Sequence, residues 1–391
     1  MILLQENWND AFRNGETAWV TLKQPGEASV HGRLQAAPPG PDQEPAVHGS
    51  DGFWARRCGA DALEVGHQSS PAVYRHLLPA AELRALHFKA VTGVDVSASG
   101  LGVSCSADET LRVWESATGE VRRELSGHLG EVYTCRFFPS GVVILSGGAD
   151  MQLKIWSAET GQCAATLRGH TGAVLATAIV DRGRNIISAG RDGRCKLWDV
   201  GEQRCLADLC EIDSVINCVL LTDLPDGLDP GSRDEPPNER EVGTEGRLVA
   251  VGSEDGCVRL VAAHSRRQLT SWQLPAAVTA LSCPAPGRLA AGCRDGSVCW
   301  LEVRSGRQLG AGRRSCSPVM ALRPVSSRLL VARADGTVHT EEPPDGDRAD
   351  PPHTVVLCGP DCEPVYGLSD NGRQLFTAGR DCCVRRYKLP L

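Results

Sequence analysis

The chain has 391 residues, 41% of them apolar and 23% charged, so it can build a sizeable core. A net charge of −7 and the lack of a basic stripe exclude a phosphate-binding footprint, so nucleic acid is not an expected partner and basic protein surfaces are favoured. No membrane span is expected, and "QENWNDAF" after "MILL" is too polar for a secretory signal, which predicts a cytosolic or nuclear protein. The seventeen cysteines are scattered without paired spacing. They are expected to be reduced thiols in small core positions, with no metal and no cofactor; Cys358/Cys362 and Cys382/Cys383 have no matching second half for zinc.

In chain order, residues 1–70 follow no repeat and predict a small α+β domain. "ENWNDAFRNG" reads as a short helix with Trp8, Ala11 and Phe12 on one side, ended at Gly15. "AWVTL" and "ASVHGRLQ" read as strands, and "AAPPGPDQEPAVHGSDG" as a loop. Trp8, Phe12, Trp19 and Trp54 are expected to be buried together.

From residue 71 onward one template recurs: Asp, two residues, an apolar strand position, then an aromatic or apolar residue. The leading aspartates are Asp108, Asp150, Asp192, Asp255, Asp295, Asp335 and Asp381. All but one interval fall near the ~40–45-residue period of four-stranded WD40 blades. The predicted fold is therefore an all-β, seven-bladed WD40 β-propeller over 71–391, with the α+β segment before it. Units two and three are the clearest. Gly127-His128 stands before Asp150 as Gly169-His170 stands before Asp192, and Trp156 and Trp198 follow at equal spacing.

The sets His128, Ser146, Asp150, Trp156 and His170, Ser188, Asp192, Trp198 contain the residue types of a hydrolytic triad. A set that repeats cannot serve one active site, so these are read as structural hydrogen-bond chains and no catalytic residue is assigned. Units four to six lack the set, with Val251, Ala291 and Val331 in place of the serine, and are expected to rest on apolar packing.

The long fourth interval is filled by residues 223–246, eight acids against two arginines, between the first two strands of unit four. With the acidic stretch 341–353 it is read as a solvated loop, or more sharply as an acidic skirt. On the opposite face, beside the leading aspartates or just after Gly-His, lie the candidate partner-binding residues Glu109, Glu131, Arg191, Glu254, Arg294 and Arg380. A rim of mixed charge suits protein recognition better than a small-molecule pocket. The last strand, "CCVRRY", has no room for a fourth strand after it. Residues 71–78, "PAVYRHLL", are expected to close unit seven, leaving no open edge.

Four stretches go beyond the repeat: "CRFFPSGVVILSGGADMQLKIWSAETG", "AIVDRGRNIISAGRDG", "NEREVGTEG" and "CEPVYGLS" with "RDCCVRRYKL". With them the chain resembles the WD40-repeat family of assembly chaperones of the proteasome's regulatory particle. That resemblance implies a non-enzymatic, monomeric negative regulator of 26S assembly. It implies binding to the carboxy-terminal domain of an ATPase subunit of the 19S base and delayed docking on the 20S core. It also implies acidic contacts to basic residues of the ATPase, with Glu109, Glu131 and Glu254 as counterparts. The alternative is a substrate receptor or scaffold of a ubiquitin ligase or another multiprotein complex. Ligase receptors of this fold carry Arg two residues after a Trp-Asp pair, and Trp198-Asp199 is followed by Val200 and Gly201.

Overall fold

The computed structural model describes residues 1–24, 27–37, 46–233, 238–344, 353–360 and 362–389. The described chain is almost entirely β. At the amino terminus, β1 (Ile2–Leu4), β2 (Thr17–Leu22), β3 (Val30–Ala36), β4 (Val47–Gly49), β5 (Phe53–Arg57), β6 (Ala62–His67) and β7 (Ser70–Leu77) form an antiparallel meander in chain order. The one helix among the described residues, α1 (Trp8–Arg13), is too short to hold itself together. It persists because Trp8 and Phe12 pack onto Val20, Leu34, Phe53 and Val65 of this sheet. Two tryptophans expected in that core are outside it. Trp19 is 49% exposed and Trp54 is 42% exposed. Both alternate onto the outer face of their strands, and Trp54 covers Gly66 on the neighbouring strand, where a Cβ would come within 2.3 Å of the indole. Much of the expected loop at 36–52 (residues 38–45) lies outside the described residues.

Six four-stranded antiparallel sheets form the blades of a β-propeller. Five are consecutive in sequence: 91–125, 132–168, 174–211, 216–273 and 278–312, called blades one to five. The sixth, the closing blade, joins residues 365–388 to β8 (Ala81–Leu83). Between blade five and the closing blade, four strands over 319–357 are bonded into one eleven-stranded sheet with β1–β7, through a parallel pairing of β7 with His353–Leu357. The sheet has no break at residue 70.

Burial within a blade rises and falls across its strands. In blade two Leu153, Lys154, Ile155 and Trp156 are all buried, because both faces of this strand are covered by neighbouring sheets. The outer strand Cys163–Arg168 is mostly exposed. Apolar clusters fill the gaps between adjoining sheets: Val113 and Val103 meet Phe137 and Trp156, and Trp198 meets Leu145 and Leu153. The cluster of Leu86, Val94, Phe376 and Val384 joins the closing blade to blade one.

Residues 71–78 do not close the ring. The last strand, Val384–Lys388, pairs instead with Ala81–Leu83, in the register Val384–Leu83, Arg385–Glu82 and Arg386–Ala81. β7 is spent on the parallel pairing beside 353–357. The physical reason is chemical fit: Glu82 meets Arg385 at 3.0 Å, and Arg385 is buried. A three-residue strand has no periodicity to read, whereas the longer "PAVYRHLL" has one.

The insertion after Asp223 is acidic and solvated at Asp223, Asp226, Asp229, Glu239 and Glu245, which are exposed, but its described part is also anchored. The Glu241 side chain is fully buried and holds Arg233 at 2.9 Å, Arg266 at 3.3 Å and the Thr244 hydroxyl at 3.0 Å. The amide of Val242 donates to Asn185 Oδ1 at 2.7 Å, and Asn185 donates to the Trp198 carbonyl at 3.0 Å. Thus "NEREVGTEG" and "DRGRN" meet in one joint between blades three and four. Residues 234–237, and 345–352 of the second acidic stretch, lie outside the described residues.

Candidate protein-binding face

The turn that carries each leading aspartate is fixed by its own carboxylate. In blade two Asp150 accepts from the amide of Gln152 at 3.2 Å and from that of Leu129 at 3.2 Å. His128 bridges Asp150, at 2.8 Å, to Ser146 Oγ, at 2.7 Å, and Trp156 donates to Ser146 at 2.8 Å. Blade three repeats this with His170–Asp192 at 2.7 Å, His170–Ser188 at 2.6 Å and Trp198 to Ser188 at 2.8 Å. The three strands and the incoming loop are thereby locked together. Ser146 and Ser188 are fully buried, so no substrate carbonyl can reach their hydroxyls.

A third set escaped the sequence reading. His87 lies 3.0 Å from Asp108 and 2.8 Å from Ser104, and Trp114 donates to Ser104 at 3.2 Å. The signal was Trp114, at the same spacing from Asp108 as in the other two units. The histidine was masked because Leu86 replaces the glycine before it and the loop is one residue shorter.

Burial of the imidazole pushes His87 and His170 below the ordinary histidine value, against the pull of their aspartates. For Asp192 burial acts to raise the carboxyl, but hydrogen bonds from the Thr171 amide and His170 outweigh it and hold the group below its usual range.

The later units do not rest on apolar packing alone. Arg259 spans Asp255 and Ser253, both at 2.8 Å, and holds the Asp255 carboxyl down at about 2 against the effect of burial. In the strands over 319–357 the buried Arg333 donates to the Gly296 carbonyl at 2.6 Å and to Glu341 at 3.1 Å, while His339 lies 3.0 Å from Glu341. In the closing blade Arg385 binds both Asp381 and Glu82. Arg259 and Arg385 on third strands, and Arg333 at the end of a second strand, take the place of the histidine, a substitution the Gly-His search could not see.

The six candidate residues separate into two groups. Glu109, Glu131 and Arg191 are exposed around blades one to three, with Arg191 stacked over Tyr133 at 5.9 Å. Glu254 and Arg294, by contrast, form an ion pair with both guanidinium nitrogens engaged, and Glu254 also accepts from Asn217 at 2.9 Å. Arg380 lies 3.7 Å from Glu363.

Two side chains not singled out in the sequence dominate the face: Phe88 is 84% exposed and Leu129 is 78% exposed. They occupy equivalent positions, directly after the set's histidine in blades one and two, and both amides are tied to the aspartate. The residue after the leading aspartate is left-handed throughout. It is glycine at Gly193, Gly256, Gly296 and Gly336, but Glu109 (φ 71°), Met151 (φ 61°) and Cys382 (φ 63°) elsewhere. Strained non-glycine residues of this kind cluster at working surfaces.

The propeller and its Asp-His-Ser-Trp bond chains define a WD40-repeat protein. A family model for the WD domain, G-beta repeat, matches residues 83–115, 119–157 and 161–199. The chain is also 41% identical, over 389 residues, to proteasomal ATPase-associated factor 1 of Homo sapiens, covering 99% of this chain and 98% of the relative. The same coverage at 40% identity holds for the protein of that name in Gallus gallus. A "probable proteasomal ATPase-associated factor 1" of Dictyostelium discoideum is 41% identical over 279 residues, 69% of this chain and 65% of the relative. The chain belongs to the proteasomal ATPase-associated factor 1 family.

Proposed function

We propose that this chain is a non-enzymatic assembly chaperone and negative regulator of the 26S proteasome. It grips the carboxy-terminal domain of an ATPase subunit of the 19S base, as a monomer in cytosol or nucleus, and delays docking on the 20S core. The observation that carries this reading is full-length similarity to proteins named for association with proteasomal ATPases. The gripping surface is the face over blades one and two, where exposed Phe88, Leu129 and Met151 stand beside Glu109 and Glu131. Apolar anchors in a rim of acids suit a basic partner surface: the anchors supply affinity, and the charges supply rate and specificity. A chaperone that must later leave is served by that division.

We also read the strands over 319–357 as a further blade, making seven. Supporting this, the innermost strand Val319–Val325 packs between Val278–Ala285 of blade five and Val365–Asp370 of the closing blade, as the other innermost strands do in turn.

The test is binding of each isolated base-ATPase carboxy-terminal domain to the full chain across a salt series. Micromolar or tighter, salt-sensitive binding to one of them is expected, weakened by reversal of Glu109 and Glu131. Recovery of ligase adaptors and no base ATPase from native lysate would overturn the reading.

A further inference from the structure

A cavity of about 770 Å³ lies where the amino-terminal sheet meets the strands over 319–357, apart from the face assigned to the ATPase domain. Its wall is apolar at Tyr74 and Val356 and carries charge of both signs, Lys23, Arg313 and Arg314 against Glu6 and Asp335. Cys316 stands on its rim, and three observations converge on that thiol.

First, Cys316 is one of three exposed cysteines, with Cys163 and Cys362. The Arg313 guanidinium donates to its Sγ at 2.8 Å. A cation on a thiol sulfur favours the thiolate, the form that attacks a disulfide. Cys163 Sγ, by contrast, meets the Ala165 carbonyl at 3.3 Å and the Thr166 hydroxyl at 3.6 Å. Second, the charge on the wall is not spent internally. Among the described residues Lys23, Arg313 and Arg314 have no carboxylate within ion-pair distance, and Arg314 donates to the Thr354 hydroxyl at 3.1 Å. Asp335 has no cation there either, and accepts from the hydroxyls of Ser315 at 3.0 Å and Thr337 at 2.6 Å. Third, His76 lines the cavity and is buried, yet its Nε2 has no hydrogen-bond partner. Burial pushes its pKa down to about 3, so the ring is neutral and suits the amide of a ligand. Cys358, 3.9 Å from His76, is no rival nucleophile: burial and then the charge of Glu6 push its thiol up to about 12.

We propose that Cys316 is a modification site, forming a mixed disulfide with a small peptide thiol that carries two carboxylates and one ammonium, the composition of glutathione. The cavity receives the peptide. Arg314, and Arg313 once released from the sulfur, take its carboxylates; Glu6 and Asp335 match its ammonium; His76 Nε2 meets an amide. The surplus of one cation on the wall answers the surplus of one carboxylate on the peptide. In the exchange the Cys316 thiolate attacks one sulfur of the peptide disulfide, whose S–S bond breaks as the new one forms. The second peptide leaves as a thiolate and takes a proton from water. Cys316 is thereby oxidised and the departing peptide reduced.

The experiment treats the reduced full chain with glutathione disulfide, quenches with acid at early times and maps the adducts by mass spectrometry of its peptides. A parallel series uses hydroxyethyl disulfide, which has neither charge nor peptide groups. With glutathione disulfide the initial rate at Cys316 should exceed that at Cys163 about tenfold, and with hydroxyethyl disulfide the ratio should fall several-fold. Arg314→Ala should lower the ratio for glutathione disulfide and leave that for hydroxyethyl disulfide unchanged. Because the first two series use unaltered protein and Cys163 is an internal reference, the outcome stands even if the variant fails to fold. Equal rates at Cys316 and Cys163, or modification of Cys362 ahead of Cys316, overturn the proposal. So does a preference equally large with both disulfides, which would mark a reactive thiol that the cavity does not serve.

Discussion

At the scale of the residue, buried imidazoles set both stability and its dependence on pH. Replacing His170 leaves the Asp192 carboxylate and the Ser188 hydroxyl short of a partner inside the blade, so His170→Ala should cost about 1–3 kcal/mol. A denaturant melt checks this, and the same loss should follow for His87→Ala in blade one. His76 makes the pH prediction. Its folded pKa lies near 3, below the unfolded value of 6.5, so the unfolded chain binds the extra proton between those limits. Its contribution to stability is complete above pH 6.5 and is lost as pH falls toward 3. Between pH 6.5 and 5 the decline should be roughly 1.5 kcal/mol, and His76→Gln should flatten that part of the profile. His87 and His170, also depressed by burial, act in the same direction from 6.5 downward. Asp108, Asp150 and Asp192 then withdraw stability below the ordinary carboxylate value, because each is held lower in the fold.

At the scale of the element, the insertion in blade four and the closing strand make opposite use of charge. The buried Glu241 carboxylate neutralises Arg233 and Arg266 in a partly exposed joint. Removing it strands two cations, and Glu241→Ala should lose about 3 kcal/mol and open residues 224–246 to limited proteolysis. A purely solvated loop would be cut equally in both proteins. The closing strand offers a cleaner test of how the ring is fastened. Both truncations remove β7 from His353–Leu357, but a chain lacking 1–78 keeps β8 on Val384–Lys388, whereas one lacking 1–84 also exposes that edge and uncouples Glu82 from Arg385. The second should melt lower and aggregate, read by thermal denaturation with size exclusion. The repeat, the helix at Trp8–Arg13 and the strand-turn rhythm were legible because each depends on local periodicity. The partner of the last strand was not, since Ala81–Leu83 is three residues long and is selected by the pairing of Glu82 with the buried Arg385.

At the scale of the whole molecule, the face over blades one and two is expected to behave as a charged rim around apolar anchors. Joint reversal of Glu109 and Glu131 to lysine should weaken ATPase-domain binding about tenfold and flatten its salt dependence. Phe88→Ser should weaken it by about 1–2 kcal/mol with little change in salt slope. Glu254→Gln should leave binding nearly unchanged, because Glu254 already spends its charge on Arg294. Titration calorimetry at two ionic strengths separates the three. By itself the sequence determined the all-β propeller with WD40 repeats and the hydrogen-bond sets of units two and three, since these follow from residue type at fixed spacing. It also carried "NEREVGTEG" and "DRGRN" as distinctive stretches, without saying that they touch. Only the tertiary structure decided that they meet at Asn185 and Val242, which strand fastens the ring, and which rim charges are paired with each other. Each of those is a choice among chemically similar partners far apart in the chain, and a choice of that kind is made by packing and charge pairing once the sheets have assembled.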